Sequence, residues 1–382
     1  MKPRPLHLNR RRFLHGLAAV PFLNTLRAAE EFAAPAPPAL VDPARGPGAG
    51  WTMVVFPDTQ NYAKYAKNQA HFDRITRWVR DHRKAWNIRL ALHEGDLVEQ
   101  NNIATGGGRG FGDQNSESQW ASARRALLPL ANELPVIHTT GNHDYGERNA
   151  ETRATQFNDY FPANYNPGAA ALRIEAAPNA AGQRTLENAA YEFKAPDGRK
   201  VLILSLEWGP RRDIVEWAAR LVRREAYRSH TGLLLVHDFV TPENLRDGQD
   251  GNRKRPGNPH TYATGKAGDT HDGEDLWQAL VRGAPQVELV LNGHEMAAHV
   301  GYRADRSDAG RTVHQMLFNA QGLGGGSDHR GNGGDGWLRL LTFEPDGRTL
   351  SVRTFSPLRL DRGDAAYWDH PRWRFAVQLH GA

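Results

Sequence analysis

The sequence contains no cysteine. Disulfides, thiolate metal sites, iron–sulfur clusters and cysteine nucleophiles are therefore excluded. A membrane-length apolar run is lacking as well. The stretch from Gly16 to Leu26 is mostly apolar but only 11 residues long, too short to span a bilayer as a mature helix. Excess basic charge is confined to the start of the chain. Of the +5 net charge, residues 1–28 supply six lysines and arginines and no acid, which leaves −1 for the remainder. Nucleic-acid binding thus loses its compositional basis. No internal repeat is visible. What is present, 39% hydrophobic and 24% charged residues over 382 positions, suffices for one large core or two smaller ones.

Asn9-Arg10-Arg11-Arg12-Phe13-Leu14 precedes the short apolar stretch, and the small residues Ala28 and Ala29 follow it. This order reads as an export signal over residues 1–29. The arginine pair before Phe13-Leu14 resembles a twin-arginine signal, the alternatives being an ordinary secretory signal or a basic amphipathic helix. The expected partner is the export machinery, and the expected location is periplasmic or secreted. Residues 30–50 carry Pro35, Pro37, Pro38, Pro43 and Pro47 among alanines and glycines, a linker without its own fold. The folded part is expected from Trp51 to about residue 357, with 358–382 as an extension packed on it.

Within that part, short apolar runs repeatedly end in a metal-ligating side chain. Thr52 to Pro57 ends at Asp58, with Gln60 two residues on. Ile88 to Gly95 ends at Asp96. Leu134 to Ile137 leads to Gly141-Asn142-His143-Asp144. Gly232 to Val236 ends at His237, and Val287 to Gly293 ends at His294. Helical patterns (Phe72, Ile75, Trp78, Val79; then Trp120, Ala123, Leu127, Leu128) separate the first three runs, which predicts parallel pairing. Ser116-x-x-Gln119 resembles a capping box for the second helix. In a parallel sheet, ligands gather at the carboxyl ends of the strands. Carboxylate, amide oxygen and imidazole together suit a hard or borderline divalent cation. Residues 145–190 read as an irregular surface excursion. Residues 241–273 read as a long polar loop in which Arg253-Lys254-Arg255 is solvated. Pro196-Asp197-Gly198 and Pro345-Asp346-Gly347 mark hairpins.

The motifs from Asp58 to His294, in this order and each after a strand, resemble the calcineurin-like metallophosphoesterases over about Met53 to Met296. The resemblance implies an α/β fold of two packed mixed β-sheets flanked by helices, a four-layer sandwich. It also implies hydrolysis of phosphomonoesters or phosphodiesters with two divalent metals (Mn, Fe, Zn or Ca) bridged by a carboxylate and a water. Asp58 matches the first-metal aspartate and Asp96 the bridging one. Asn142, His237 and His294 match second-metal ligands. His143 matches the histidine that assists the leaving group, and Asp144 would orient it.

Two departures fall on the first metal. The family's Asp-x-His opening is Asp58-Thr59-Gln60 here, and its Gly-His-x-His closing is Gly293-His294-Glu295-Met296. Gln60 is the candidate substitute ligand. The first site is then weak, suited to a harder ion, or completed by another residue among Glu295, His299, His314 and Gln321. Each of those four also has a plain reading: a surface pair, a strand residue, a core histidine and a turn. The alternative to an esterase is a non-catalytic protein that binds a phosphate ligand or a metal.

Overall fold

A computed structural model describes residues 50–106, 111–326 and 328–380. The expected leader and all but the last residue of the expected linker lie outside these. In chain order the elements are β1 (Trp51–Phe56), α1 (Gln60–Ala63), α2 (Ala66–His82), β2 (Ile88–His93), α3 (Ser116–Ala131), β3 (Val136–His138), α4 (Phe157–Tyr160) and α5 (Pro167–Leu172). There follow β4 (Arg173–Pro178), β5 (Arg184–Lys194), β6 (Lys200–Ser205), α6 (Arg212–Val222), β7 (Thr231–Leu235), and α7 (Gly273–Leu276), which runs into a π-helical turn, Trp277–Val281. The chain continues with β8 (Val287–Asn292), β9 (Val300–Arg306), β10 (Thr312–Phe318), β11 (Leu338–Phe343), β12 (Thr349–Phe355), α8 (Pro357–Arg362) and β13 (Phe375–Gln378).

The strands form two mixed sheets, β13-β12-β11-β1-β2-β3 and β4-β5-β6-β7-β8-β10-β9. β1, β2 and β3 are mutually parallel, as are β6, β7, β8 and β10. Alternation along β1 explains the layering. Val54 and Phe56 meet α2 and α3 through Phe72, Ile75, Val79 and Trp120. Met53 and Val55 face the opposite way, against Ile203, Leu233, Leu289 and Met316 of the second sheet. The second sheet's far side packs on α6 and the π-helical turn through Leu204, Leu234, Trp217 and Leu280. Strands covered on both faces need unbroken apolar runs, which is why the strands read so clearly.

The structure corrects several expectations. The cap of α3 is Asn115, whose side chain accepts from Ser118 N, not Ser116. Residues 145–190 hold α4, α5 and β4, and their Phe157, Phe161 and Tyr165 join the core around Trp120. Beyond residue 357, β13 pairs with β12 and buries Phe375 and Val377 between the sheets. The loop at 241–273 is laced by ion pairs. Arg255 Nε bonds Asp247 Oδ1 at 2.7 Å and reaches Glu295 with its other end, while Arg253 pairs with Asp275. The basic run is therefore not simply solvated. Among the described residues, no helix is long and apolar enough to cross a membrane.

Candidate metal centre

The carboxyl ends of β1, β2, β3, β7 and β8 bring Asp58, Asp96, Asn142, His237 and His294 to one edge, and β10 adds Asn319. The approach is close enough to require glycine. A Cβ on Gly141 would lie 2.1 Å from Asp96 Oδ1, and one on Gly293 would lie 2.1 Å from Asp58 Oδ1. Asp96 (φ +49°) and His294 (φ +71°) themselves adopt the left-handed backbone region, a conformation that costs energy and concentrates at functional sites.

Hydrogen bonds fix which atom each side chain offers. His237 Nδ1 donates to the Glu94 carbonyl at 2.6 Å. In the neutral ring Nε2 is then a lone pair, and it lies 3.2 Å from both Asn142 Oδ1 and Asp96 Oδ2. Asn142 cannot turn its amide round, because Nδ2 donates to Asn149 Oδ1 at 2.6 Å. His294 Nε2 donates to the Gly257 carbonyl at 2.9 Å, which leaves Nδ1 as its ligand atom. One ligand-capable atom from each of Asp96, His237 and His294 lies within 4.8 Å of the other two. With the ring neutral, Nε2 of His237 faces the two oxygens with no proton of its own between them, an arrangement that a cation satisfies. These residues fit a divalent metal.

The electrostatics agree. Burial opposes a charge on His237, but the Asp96 and Asp58 carboxylates override it and push the ring up to about 10. Burial alone would raise Asp96, yet His237 and His143 hold it well below the usual carboxylate range. Burial lifts Asp58 to about 8, and burial with the neighbouring His237 drops His294 to about 3. The carboxylates that favour a proton on His237 would equally favour a cation beside it.

His143 lies on the wall of a cavity of about 350 Å³ that Gln60, Lys64, Asn142, Tyr262 and His294 also line. Its Nδ1 donates to the Glu99 carbonyl at 2.9 Å, and its backbone N–H donates to Asp96 Oδ1 at 2.9 Å. Burial works against protonation of this ring, but Asp96 and Glu99 outweigh it and raise its pKa. The expected orienting contact from Asp144 is not made. Asp144 instead accepts from the backbone N–H groups of Leu97 (2.9 Å), Val98 (3.3 Å) and Gly141 (2.8 Å), tying together the two loops that carry Asp96 and Asn142. The physical reason is competition: three buried amides need an acceptor, and the imidazole already has a carbonyl.

Gln60 reaches the site, with Nε2 donating to Asp96 Oδ2 at 3.0 Å. Gln321 is no plain turn residue, because its Nε2 donates to Asp58 Oδ2 at 2.9 Å beside Asn319 Nδ2 at 2.7 Å. His314 has both ring nitrogens engaged, by Tyr302 and Gln378, and His299, which donates to the Asn319 carbonyl, does not join Asp96, His237 and His294 in the group whose ligand atoms lie within 4.8 Å of one another. Glu295 pairs with Arg255 at the cavity wall, and Met296 is 46% exposed. Sequence reasoning missed Asn319, although Phe318-Asn319 is another apolar run ending in a polar residue. It also missed Asn149, for which no such signal exists. A second group, His260, Asp272 and Asp275, comes within 4.8 Å on the loop at 241–275, but Arg253 and Asn258 already engage its carboxylates.

Comparison with known proteins gives three findings. The family described as calcineurin-like phosphoesterase matches residues 52–298. The uncharacterized protein YvnB of Bacillus subtilis (strain 168) is 27% identical over 326 residues, covering 84% of this chain but 20% of that protein, so the chain spans about a fifth of its relative's length. Among solved structures, the one titled GAP50, the anchor in the inner membrane complex of Plasmodium, superposes with a TM-score of 0.43 at 8% identity over 87% of this chain and 89% of that one. With the family match spanning the strands that deliver Asp58 through His294, the chain belongs to the calcineurin-like phosphoesterase family, whose members are metal-dependent.

Proposed function

We propose that this chain is an exported hydrolase that cleaves phosphomonoesters or phosphodiesters with two divalent cations. The observation that carries the reading is the convergence of His237 Nε2, Asn142 Oδ1 and Asp96 Oδ2, all acceptors, at 3.2 Å beside an open cavity. Bound there, the cations supply Lewis acidity at the phosphoryl oxygens and a nucleophile at neutral pH. The chain's own residues bind and orient. Asp96 would serve as a ligand, Asn149 accepts from the Asn142 amide, and the Glu94 and Gly257 carbonyls fix the tautomers of His237 and His294. His143, anchored through Nδ1, keeps Nε2 free to hold a proton for the departing alkoxide. Export through the twin-arginine route to the periplasm or exterior rests on Arg10 to Leu14. The ester preference resides in the loops at 145–190 and 241–273.

Replacing Asn142 or His237 with alanine is expected to lower turnover of chromogenic phosphomonoesters and diesters by at least about a hundredfold, with the fold checked by circular dichroism. Wild-type rates in either variant contradict the proposal. One feature favours a second reading, ligand binding without turnover. Gln60 and Met296 stand where the family places imidazoles for the first metal. That reading expects phosphate binding with no hydrolysis under any added cation.

A further inference from the structure

The two halves of the centre offer different donor atoms. The second position has two imidazole nitrogens, from His237 and His294, in addition to oxygen. Around the first position the described side chains supply no nitrogen or sulfur ligand. Met296 borders the cavity but is 46% exposed and offers only a thioether, which suits soft metals, and His299 does not join the group of ligand atoms at Asp96, His237 and His294. What remains is oxygen, and hydrogen bonds specify which oxygens.

The Gln60 amide has only one orientation. With Nε2 donating to Asp96 Oδ2 at 3.0 Å, a flipped amide would press its oxygen against a carboxylate oxygen. Gln60 Oε1 is thereby fixed. It is buried, its side chain lines the cavity, and it has no hydrogen-bond partner. Leaving a buried amide oxygen unsatisfied is costly, and a cation would relieve that cost. Asp58 is prepared in the same sense. Its Oδ2 takes both Asn319 Nδ2 and Gln321 Nε2, and Gln321 cannot flip because its Oε1 accepts from Asn61 Nδ2 at 3.0 Å. Asp58 Oδ1 receives only the shared His294 backbone N–H at 3.2 Å and keeps lone pairs for one further partner. Neutral amides thus hold the carboxylate in place without cancelling its charge.

We infer that the first cation position is an all-oxygen site, formed by Asp58 Oδ1, Asp96 and Gln60 Oε1, which takes a hard cation (Mg²⁺, Mn²⁺ or Ca²⁺), while the imidazole-bearing position takes a borderline one such as Zn²⁺. The assignment rests on the reading of this centre as metal-dependent. Its chemistry is that of ligand type: carboxylate and amide oxygens suit hard ions, whereas zinc sites are built mainly on nitrogen and sulfur.

The test is elemental analysis of the full chain, stripped with chelator and dialysed against Zn²⁺ alone, Mn²⁺ or Ca²⁺ alone, and Zn²⁺ with each. Wild type is expected to retain one zinc per chain from zinc alone, and one zinc plus one hard ion from the mixtures. Gln60→His is expected to raise zinc retention to two per chain. Gln60→Ala is expected to keep its zinc and weaken the hard ion at least about tenfold. Two zincs per wild-type chain, or unchanged hard-ion affinity in Gln60→Ala, overturns the inference. The expected metal pattern without turnover of any ester supports the inference and overturns the hydrolytic reading instead.

Discussion

At the scale of single residues, orientation decides function here more than identity does. Asn142, His237 and His294 can each present an acceptor atom to a cation because a neighbour has taken the other end of the side chain. The residue types were legible in the sequence, since each closes an apolar run. Their partners were not, because Asn149, Glu99 and the Glu94 and Gly257 carbonyls act from loops with no periodicity. The same blindness hid the real acceptor duty of Asp144 and the bond of Gln321 to Asp58. Another buried histidine lends itself to a pH test away from the metal ligands. His138 contacts the Tyr165 hydroxyl through Nε2, leaves Nδ1 without a partner, and is pushed down to about 3 by burial. The unfolded chain takes up this proton near pH 6.5, so His138 contributes full stability above that pH and progressively loses it as the pH falls towards 3. Between pH 7.5 and 4.5, wild type is expected to lose about 2–3 kcal/mol more than His138→Gln in urea unfolding. Parallel losses contradict the assignment.

At the scale of elements, parallel strands with both faces covered announce themselves as continuous apolar runs, and the five that lead to Asp58, Asp96, Asn142, His237 and His294 were legible in this way. So were the hairpins at Asp197 and Asp346, through Pro-Asp-Gly. The elements that escaped lie at the sheet edges. β4 and β9 have only partly buried residues along most of their length, so their pattern is diluted. β13 is only 4 residues long and follows an irregular stretch. Its importance nonetheless follows from packing. Phe375, at 2% exposure, sits between the sheets against Tyr302 and lies over Val352 in the register with β12. Phe375→Ala is expected to cost about 3–5 kcal/mol, the range for deleting a buried aromatic side chain. A loss under about 1 kcal/mol in chemical denaturation would return residues 358–382 to the status of an accessory tail.

At the scale of the molecule, the two sheets put their carboxyl strand ends on one edge, and this is where the centre lies. The four-layer arrangement was expected from a resemblance, and the burial of the three core clusters bears it out. The position of the loop at 241–273 could not be read from its composition. Arg246 joins Glu274 at 2.6 Å to Asp305 at 2.7 Å, and Arg255 joins Asp247 to Glu295, so charges in a polar, glycine-rich stretch bind it to the body. The proposed role of the acceptors gathered at this edge is to hold cations for phosphate-ester hydrolysis. The most direct measurement is turnover of chromogenic phosphomonoesters and diesters by one preparation in three states: as purified, after chelation, and after reloading with zinc and manganese. Activity is expected to disappear on chelation and to return on reloading. Turnover that survives complete metal removal, or that appears in no state, would contradict that role.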